Sequence, residues 1–272
     1  LGHAVEIDFT PLDGTLPSHI REHAEKEGHS CLLRLSASNV KRLLDSQDIQ
    51  PHKVRYYLQR RDPDFDGKRV QVLHVYQQVE FILENEELKP LCDVYVSYDE
   101  KPGIQAIGNT AEDLLPVPGE HPTIGRDPEY RRFGTLSLLA GIDLVTGKII
   151  GSVEERHRSR EFVDFLKKLD STYEPGLRIQ IILDNHSSHT SKETKAYLET
   201  IPDRFEFIFT PKHGSWLNII EVFFAKMTKQ VLRHIRVKSK EELRERIEQY
   251  LLEVNANPVP FRWKHGLDGS VS

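Results

Sequence analysis

Three acidic residues stand where the surrounding pattern is apolar. Asp99 closes Val94-Tyr95-Val96-Ser97-Tyr98, Asp184 closes Ile181-Ile182-Leu183, and Glu221 sits inside Asn218-Ile219-Ile220-Glu221-Val222-Phe223-Phe224. An ionised side chain beside buried apolar neighbours is costly unless something cationic compensates it, and a bound divalent metal is the strongest compensation. Taken singly, each acid also fits a helix cap or a surface charge at a strand end. Taken together they point to metal-dependent chemistry at phosphodiesters.

The elements around these acids set the fold class. Periodicity and turn residues predict strands near 93–98, 134–143 and 147–154, with Val145-Thr146-Gly147 as a hairpin-like turn. A helix near 159–172, a strand at 178–183, a helix at 191–200, a strand at 205–209 and helices near 215–232 and 239–253 follow. Three antiparallel strands followed by strand–helix alternation make an α/β mixed sheet with helices on its faces, in the ribonuclease H-like order. Residues 100–133, rich in Gly and Pro, read as an irregular excursion between the first two strands.

In open α/β sheets the carboxyl ends of strands are where ligands sit, which is where Asp99 and Asp184 fall. On the 215–232 helix, Trp216, Ile220, Phe223 and Met227 form a packing stripe, while Asn218 and Glu221 share another face. Three carboxylates gathered there supply hard oxygen ligands for Mg²⁺ or Mn²⁺. Two such ions about 4 Å apart activate a water or a sugar 3'-hydroxyl and stabilise the leaving oxygen of an in-line displacement at phosphorus. Glu100 adjoins Asp99 but should project from the strand in the other direction, and its replacement is expected to cost little. Zinc held by His186, His189 and His213 is a weaker alternative, because no cysteine lies nearby. Lys212 and His213, ahead of the helix, read equally as phosphate contacts or as loop polar residues.

Before the sheet, two short helices are expected, one from Ser36 to Leu44 with Ser36 as N-cap and one opened by Pro51 and running to Leu58. Val40, Leu43 and Leu44 give the first an apolar stripe, leaving Ser38, Asn39, Lys41 and Arg42 on the other side. With Lys53 and Arg55 of the second helix these suit a helix-turn-helix reader of double-stranded DNA, although solvated helix faces explain the same pattern. A charge-rich helix near 68–86 leads to a boundary at Leu88-Lys89-Pro90. The expected organisation is a partial helix-turn-helix region over 1–60, a linker helix over 61–90, a catalytic domain over 91–265 and a tail over 266–272.

Composition narrows the remaining choices. With 272 residues, 38% hydrophobic and 29% charged, the chain buries a sizeable core, and no apolar run approaches the roughly 20 residues of a membrane span. Cys31 and Cys92 form no CxxC pair, so no disulfide framework is expected and both read as small buried hydrophobes. A net charge of −5 argues against a protein that simply coats nucleic acid, but a local basic surface binds phosphates under an acidic total. The start, Leu1-Gly2-His3-Ala4, has no secretory signal pattern, so a cytoplasmic, nucleoid-associated location is expected. Since Met227 is the one methionine, an upstream segment is expected.

Tyr98-Asp99-Glu100-Lys101, Leu183-Asp184-Asn185-His186-Ser187-Ser188-His189 and Pro211-Lys212-His213-Gly214-Ser215-Trp216-Leu217-Asn218-Ile219-Ile220-Glu221 resemble the three acidic blocks of DDE transposases of the mariner superfamily, in its bacterial insertion-sequence branch. The resemblance runs from 93 to about 265, and residues 35–44 and 51–58 resemble the end of that family's DNA-binding region. It implies that Asp99, Asp184 and Glu221 bind two Mg²⁺ ions. It also implies cleavage at terminal inverted repeats and transfer of the freed 3'-hydroxyl into target DNA, usually at a TA dinucleotide. Asn185, His189 and Asn218 then become residues that support the acids or contact DNA, and a homodimer is expected in the complex joining two ends. Two other classes stay open: a nuclease of the same fold without strand transfer, and a non-catalytic DNA-binding protein derived from a transposase.

Overall fold

The computed structural model describes residues 16–34, 36–47, 62–85, 87 and 93–260. Its backbone falls into two compact units, Leu1–Gln59 and Arg60–Ser272. The expected helix over 51–58 with Lys53 and Arg55, the boundary at 88–90, Cys92 and the tail lie outside the described residues.

In the first unit, α1 (Leu16–Lys26) and α2 (Ala37–Ser46) flank a 3-10 turn at Ser30–Leu32. The sequence reading contains no counterpart of α1. α2 begins at its expected cap, the Ser36 hydroxyl accepting from the Asn39 backbone N–H at 3.2 Å. Its apolar stripe is narrower than expected: Val40 is buried, whereas Leu43 is 62% exposed. Ser38, Asn39, Lys41 and Arg42 are all exposed.

The second unit opens with α3 (Phe65–Glu84), followed by β1 (Val94–Asn109), β2 (Tyr130–Asp143), β3 (Ile149–Glu154), α4 (Ser159–Thr172), β4 (Ile179–Leu183), α5 (Lys192–Thr200), β5 (Phe205–Phe209), α6 (Ile220–Met227) and α7 (Lys240–Ala256). The strands form one sheet in the order β3-β2-β1-β4-β5. β1, β2 and β3 are antiparallel, and β4 and β5 run parallel to β1. This is the mixed sheet expected from the sequence. β4 is buried at all five positions, as a parallel strand covered on both faces must be.

Strand alternation divides the core into two layers. Val94, Val96 and Tyr98 of β1 pack with Ile179, Ile181 and Leu183 of β4 against Phe162, Phe165, Leu166 and Leu169 of α4. Tyr95 and Ile182 point the other way, toward α3, α6 and α7. The helix expected to act as a linker is therefore α3, whose Val72, Leu73, Val75, Tyr76, Val79 and Ile82 are part of this second layer. Among the described residues no helix is long and apolar enough to cross a membrane.

Two element boundaries differ from expectation. β1 does not stop at Tyr98 but continues to Asn109, paired with a β2 that begins at Tyr130, so the irregular excursion shrinks to 110–129. The pairing register shifts between Lys101 and Ile104, and this irregularity absorbs Pro102 and Gly103, residues that otherwise signal a strand end. The single helix expected over 215–232 is instead a 3-10 turn at Ser215–Leu217, a break at Asn218 and Ile219, α6, and a π turn at Thr228–Leu232. The break removes Trp216 from the packing stripe, leaving it 41% exposed while Ile220, Phe223 and Met227 are buried.

Candidate metal-binding active site

The parallel ladder fixes the level of the first two acids. Its last pair is Ser97 with Ile182, so Asp99 stands two residues further along β1 and Asp184 two residues further on, just past the end of β4. By alternation Asp99 shares the face of Tyr95, the face covered by α6, and Asp184, past the end of β4, is close enough for its charge to act on Asp99. Glu221 lies in the first turn of α6.

The start of α6 is tied to β1 by buried polar groups. The Asn218 amide donates to the Tyr98 carbonyl at 2.8 Å and approaches Asp99 Oδ2 at 3.5 Å. Ser97 Oγ donates to Asn218 Oδ1 at 2.5 Å and accepts from the Ile220 backbone N–H at 3.0 Å. From α3, the Tyr76 hydroxyl donates to the Leu217 carbonyl at 2.6 Å and accepts from the Ile219 N–H at 3.3 Å. These bonds satisfy the break before α6 and hold Glu221 beside Asp99. Asn218 is only 2% exposed and lies ahead of the helix rather than on its surface, which corrects its expected place on a helical face.

The loop after β4 is braced at several points. Asp184 Oδ1 accepts from the His186 N–H at 2.9 Å, an Asx turn that stops the strand. Asn185 donates to the Thr210 carbonyl at 2.6 Å, tying the ends of β4 and β5. His189 Nδ1 faces the Asp184 carbonyl at 3.0 Å and Asp184 Oδ1 at 3.2 Å, and its Nε2 faces Glu100 Oε1 at 3.0 Å. All these partners are acceptors, so the ring donates from both nitrogens. Its walls are Phe162, at 4.5 Å between ring centroids, and Tyr98, edge-on at 5.6 Å.

The charges follow from this geometry. Burial pushes Asp99 up to about 7; the Glu100 backbone N–H opposes this, and the charges of Glu100, Asp184 and Glu221 add to it. The hydrogen bond from His189 holds Asp184 below its ordinary value despite partial burial. For His189, burial works against the charged ring, but the bonds to Asp184 and Glu100 outweigh it and hold the imidazole up at about 9.

Glu100 does project away from Asp99, on the face of Tyr98, yet it is not a free surface acid. Its side chain is 8% exposed and accepts from both His189 and the Tyr98 hydroxyl, the latter at 2.9 Å. The sequence reading missed Ser97, Tyr76 and Glu100 as parts of the site. Ser97 carried a signal, a small hydroxyl residue inside an apolar strand two positions before an acid. Lys212 and His213 are exposed on the turn after β5, and His213 has a positive φ of 62°. Ser38, Asn39, Lys41 and Arg42 belong to the other unit.

Three carboxylates with no soft donor fit Mg²⁺ or Mn²⁺. Among the described residues the one trio of His, Cys, Asp or Glu donor atoms within 4.8 Å of each other is Glu100, His186 and His189. The donor atoms of Asp99, Asp184 and Glu221 do not lie that close together. His213 is not in that trio. A groove of about 790 Å³ lined by Lys148, Lys168 and Arg244, beside β3 and α7, contains none of the three carboxylates.

The chain matches the DDE superfamily endonuclease family over residues 97–244, more than half its length. It is 25% identical over 237 residues to the insertion element IS630 uncharacterized 39 kDa protein of Shigella sonnei. That match takes in 86% of this chain and 63% of the relative, so the chain spans less than two thirds of the relative's length. The Mos1 mariner paired-end complex with Mn aligns with 92% of this chain and 75% of its own, at a TM-score of 0.51 and 16% identity. A structure of the Mos1 transposase catalytic domain with Raltegravir and Mg aligns with 72% of this chain and 85% of its own, at a TM-score of 0.43 and 17% identity. The five-stranded sheet is thus ribonuclease H-like, and the chain belongs to the DDE superfamily of endonucleases, with an IS630 insertion-element protein as a homologue and the fold of the Mos1 mariner transposase.

Proposed function

We propose that this chain is a transposase that cuts DNA at the terminal inverted repeats of an insertion element and joins the 3'-hydroxyl ends to target DNA. The observation that supports the reading is the gathering of Asp99, Asp184 and Glu221 near one end of the parallel strands, with Asn218 beside Asp99, His189 beside Asp184, and Ser97 holding the start of the helix that carries Glu221. Asp99, Asp184 and Glu221 hold two Mg²⁺ or Mn²⁺ ions, which when bound supply Lewis-acid activation of the attacking oxygen and stabilisation of the leaving oxygen. Asn218 and His189 orient the carboxylates, and Asn185 fixes the loop that carries one of them. Element ends and target, both double-stranded DNA, are the substrates. The basic and polar residues Ser38, Asn39, Lys41, Arg42, Lys53 and Arg55 read the ends, and Lys212 and His213 contact phosphate near the cut. A homodimer brings two ends together. The organisation is an N-terminal DNA-binding region followed by the catalytic unit.

The test is cleavage and strand transfer of a labelled duplex carrying the element's ends, with Mg²⁺, Mn²⁺ or EDTA, beside Asp184→Ala. Joined products that need both metal and Asp184 are expected. Cleavage at wild-type rate by Asp184→Ala would refute the assignment. Metal-dependent cutting without joining identifies a nuclease of the same fold, and binding without chemistry a non-catalytic relative.

A further inference from the structure

β1 and β4 carry the first two acids, yet their hydrogen-bonded ladder ends at Ser97 and Ile182, before either acid is reached. Past that point no backbone ladder between the two strands sets the separation of Asp99 from Asp184. Asp184 is also a short side chain on a loop, 48% exposed. Something other than the sheet must hold it at a defined distance from Asp99 if the two are to share metal ions.

The side chains of Glu100 and His189 bridge the gap. Glu100 follows Asp99 on β1, and its Oε1 accepts from His189 Nε2 at 3.0 Å. The opposite edge of the same ring contacts the Asp184 carbonyl at 3.0 Å and its Oδ1 at 3.2 Å. The His189 side chain is 1% exposed, clamped between Phe162 and Tyr98, so the ring is a rigid spacer. Glu100 is in turn held by the Tyr98 hydroxyl. The chain of contacts runs from one acid-bearing strand to the other acid, where backbone pairing has stopped.

We propose that Glu100 is a positioning residue: through His189 it fixes the Asp184 carboxylate relative to Asp99, and so sets the site's affinity for divalent metal. The proposal rests on the reading of Asp184 as a metal ligand. The trio Glu100, His186 and His189 is not itself a metal cage, because both His189 nitrogens are committed to oxygen acceptors and His186 Nδ1 is bonded to Ser188 Oγ at 2.7 Å. Partners that orient metal ligands typically govern metal affinity by about 10–100-fold.

Two substitutions separate reach from charge. Glu100→Asp keeps the charge but is one methylene too short to meet His189; Glu100→Gln keeps the length and an acceptor oxygen but loses the charge. Mn²⁺ binding to the full-length protein without DNA is measured by electron paramagnetic resonance, beside metal-free melting curves and Asp184→Ala. Glu100→Asp should weaken Mn²⁺ binding by roughly tenfold or more, with Glu100→Gln clearly the milder change. The reverse order indicates bulk electrostatics and overturns the proposal, as does wild-type affinity in Glu100→Asp with only its melting curve lowered. Tight Zn²⁺ binding that survives Asp184→Ala and is lost in Glu100→Gln also overturns it, by making the trio a cage. If the wild type binds no Mn²⁺, or Asp184→Ala binds it equally well, the underlying metal-site reading fails instead.

Discussion

Asp99 and His189 are driven toward opposite charge states, the acid toward neutral and the imidazole toward charged, and their protonation gives a stability signature. Asp99 has its folded value raised from 3.8 to about 7, first by burial, so its ionisation opposes the native state. The destabilisation is absent below pH 4, grows between pH 4 and 7, and is complete above pH 7. His189 has its folded value raised from 6.5 to about 9, so its contribution is fully present below pH 6.5 and is lost as pH rises through 9. Both terms make the metal-free protein less stable with rising pH. We therefore expect Asp99→Asn to melt above the wild type in EDTA, with a difference that widens from pH 4 to 7 and is constant above it. Thermal melts across that range check this. A constant difference at all pH values would mean that Asp99 is not held in its unfavourable charged state. Saturating Mn²⁺ should narrow the gap, since the cation supplies what the buried carboxylate lacks.

α6 shows how an element is placed by a few polar atoms. Its N-terminus is fixed to β1 by Asn218 and Ser97 and to α3 by Tyr76. Asn218→Leu keeps the volume but leaves the Ser97 hydroxyl and the Tyr98 carbonyl short of a buried partner. Unsatisfied groups of this kind cost about 1–3 kcal/mol each, so the variant should lose roughly 2–6 kcal/mol in denaturant unfolding. It should also bind Mn²⁺ more weakly, because Glu221 rides on the displaced helix; unchanged stability would show that the bonds are not what anchors α6. This anchor was only partly visible in the sequence. Asn218 stood out by its nearness to Glu221, but helical periodicity assigned it to a face of α6. It lies outside the helix because the residues that satisfy it, Ser97 and Tyr98, are remote along the chain. The strands and the helices α4, α5 and α7 were legible because each carries its own periodic signal, and the structure adds caps at Ser191 and Ser239, whose hydroxyls accept from the N–H three residues on. The continuation of β1 was not, since Pro102 and Gly103 look like a terminator until the register shift is seen. Glu100 was assigned to the correct face, but alternation cannot say that a histidine from another loop waits there.

At the scale of the whole chain, the proposed function asks a protein with a net charge of −5 to bind a polyanion. Long-range attraction does not supply that affinity, so it must come from a local basic surface, and the cluster of carboxylates at the proposed site opposes it. Two divalent cations held by Asp99, Asp184 and Glu221 would reverse the sign of the field where the scissile phosphate must lie. Metal and DNA should therefore bind with positive coupling, and linkage requires the two to raise each other's affinity by the same factor, typically 5–150-fold. Calcium, a hard cation that takes oxygen ligands, lets this be measured at equilibrium. Duplex carrying the element's ends is titrated with and without Ca²⁺ at matched ionic strength, and Ca²⁺ binding is measured with and without the duplex. Free divalent ions compete for DNA phosphates and so weaken protein–DNA contacts in general. A rise in affinity on adding Ca²⁺ runs against that background and reports the site itself. The rise should be equal in both directions and should vanish in Asp184→Ala. Equal weakening of wild type and variant by Ca²⁺ would mean that the three carboxylates do not meet the DNA phosphate through a shared cation.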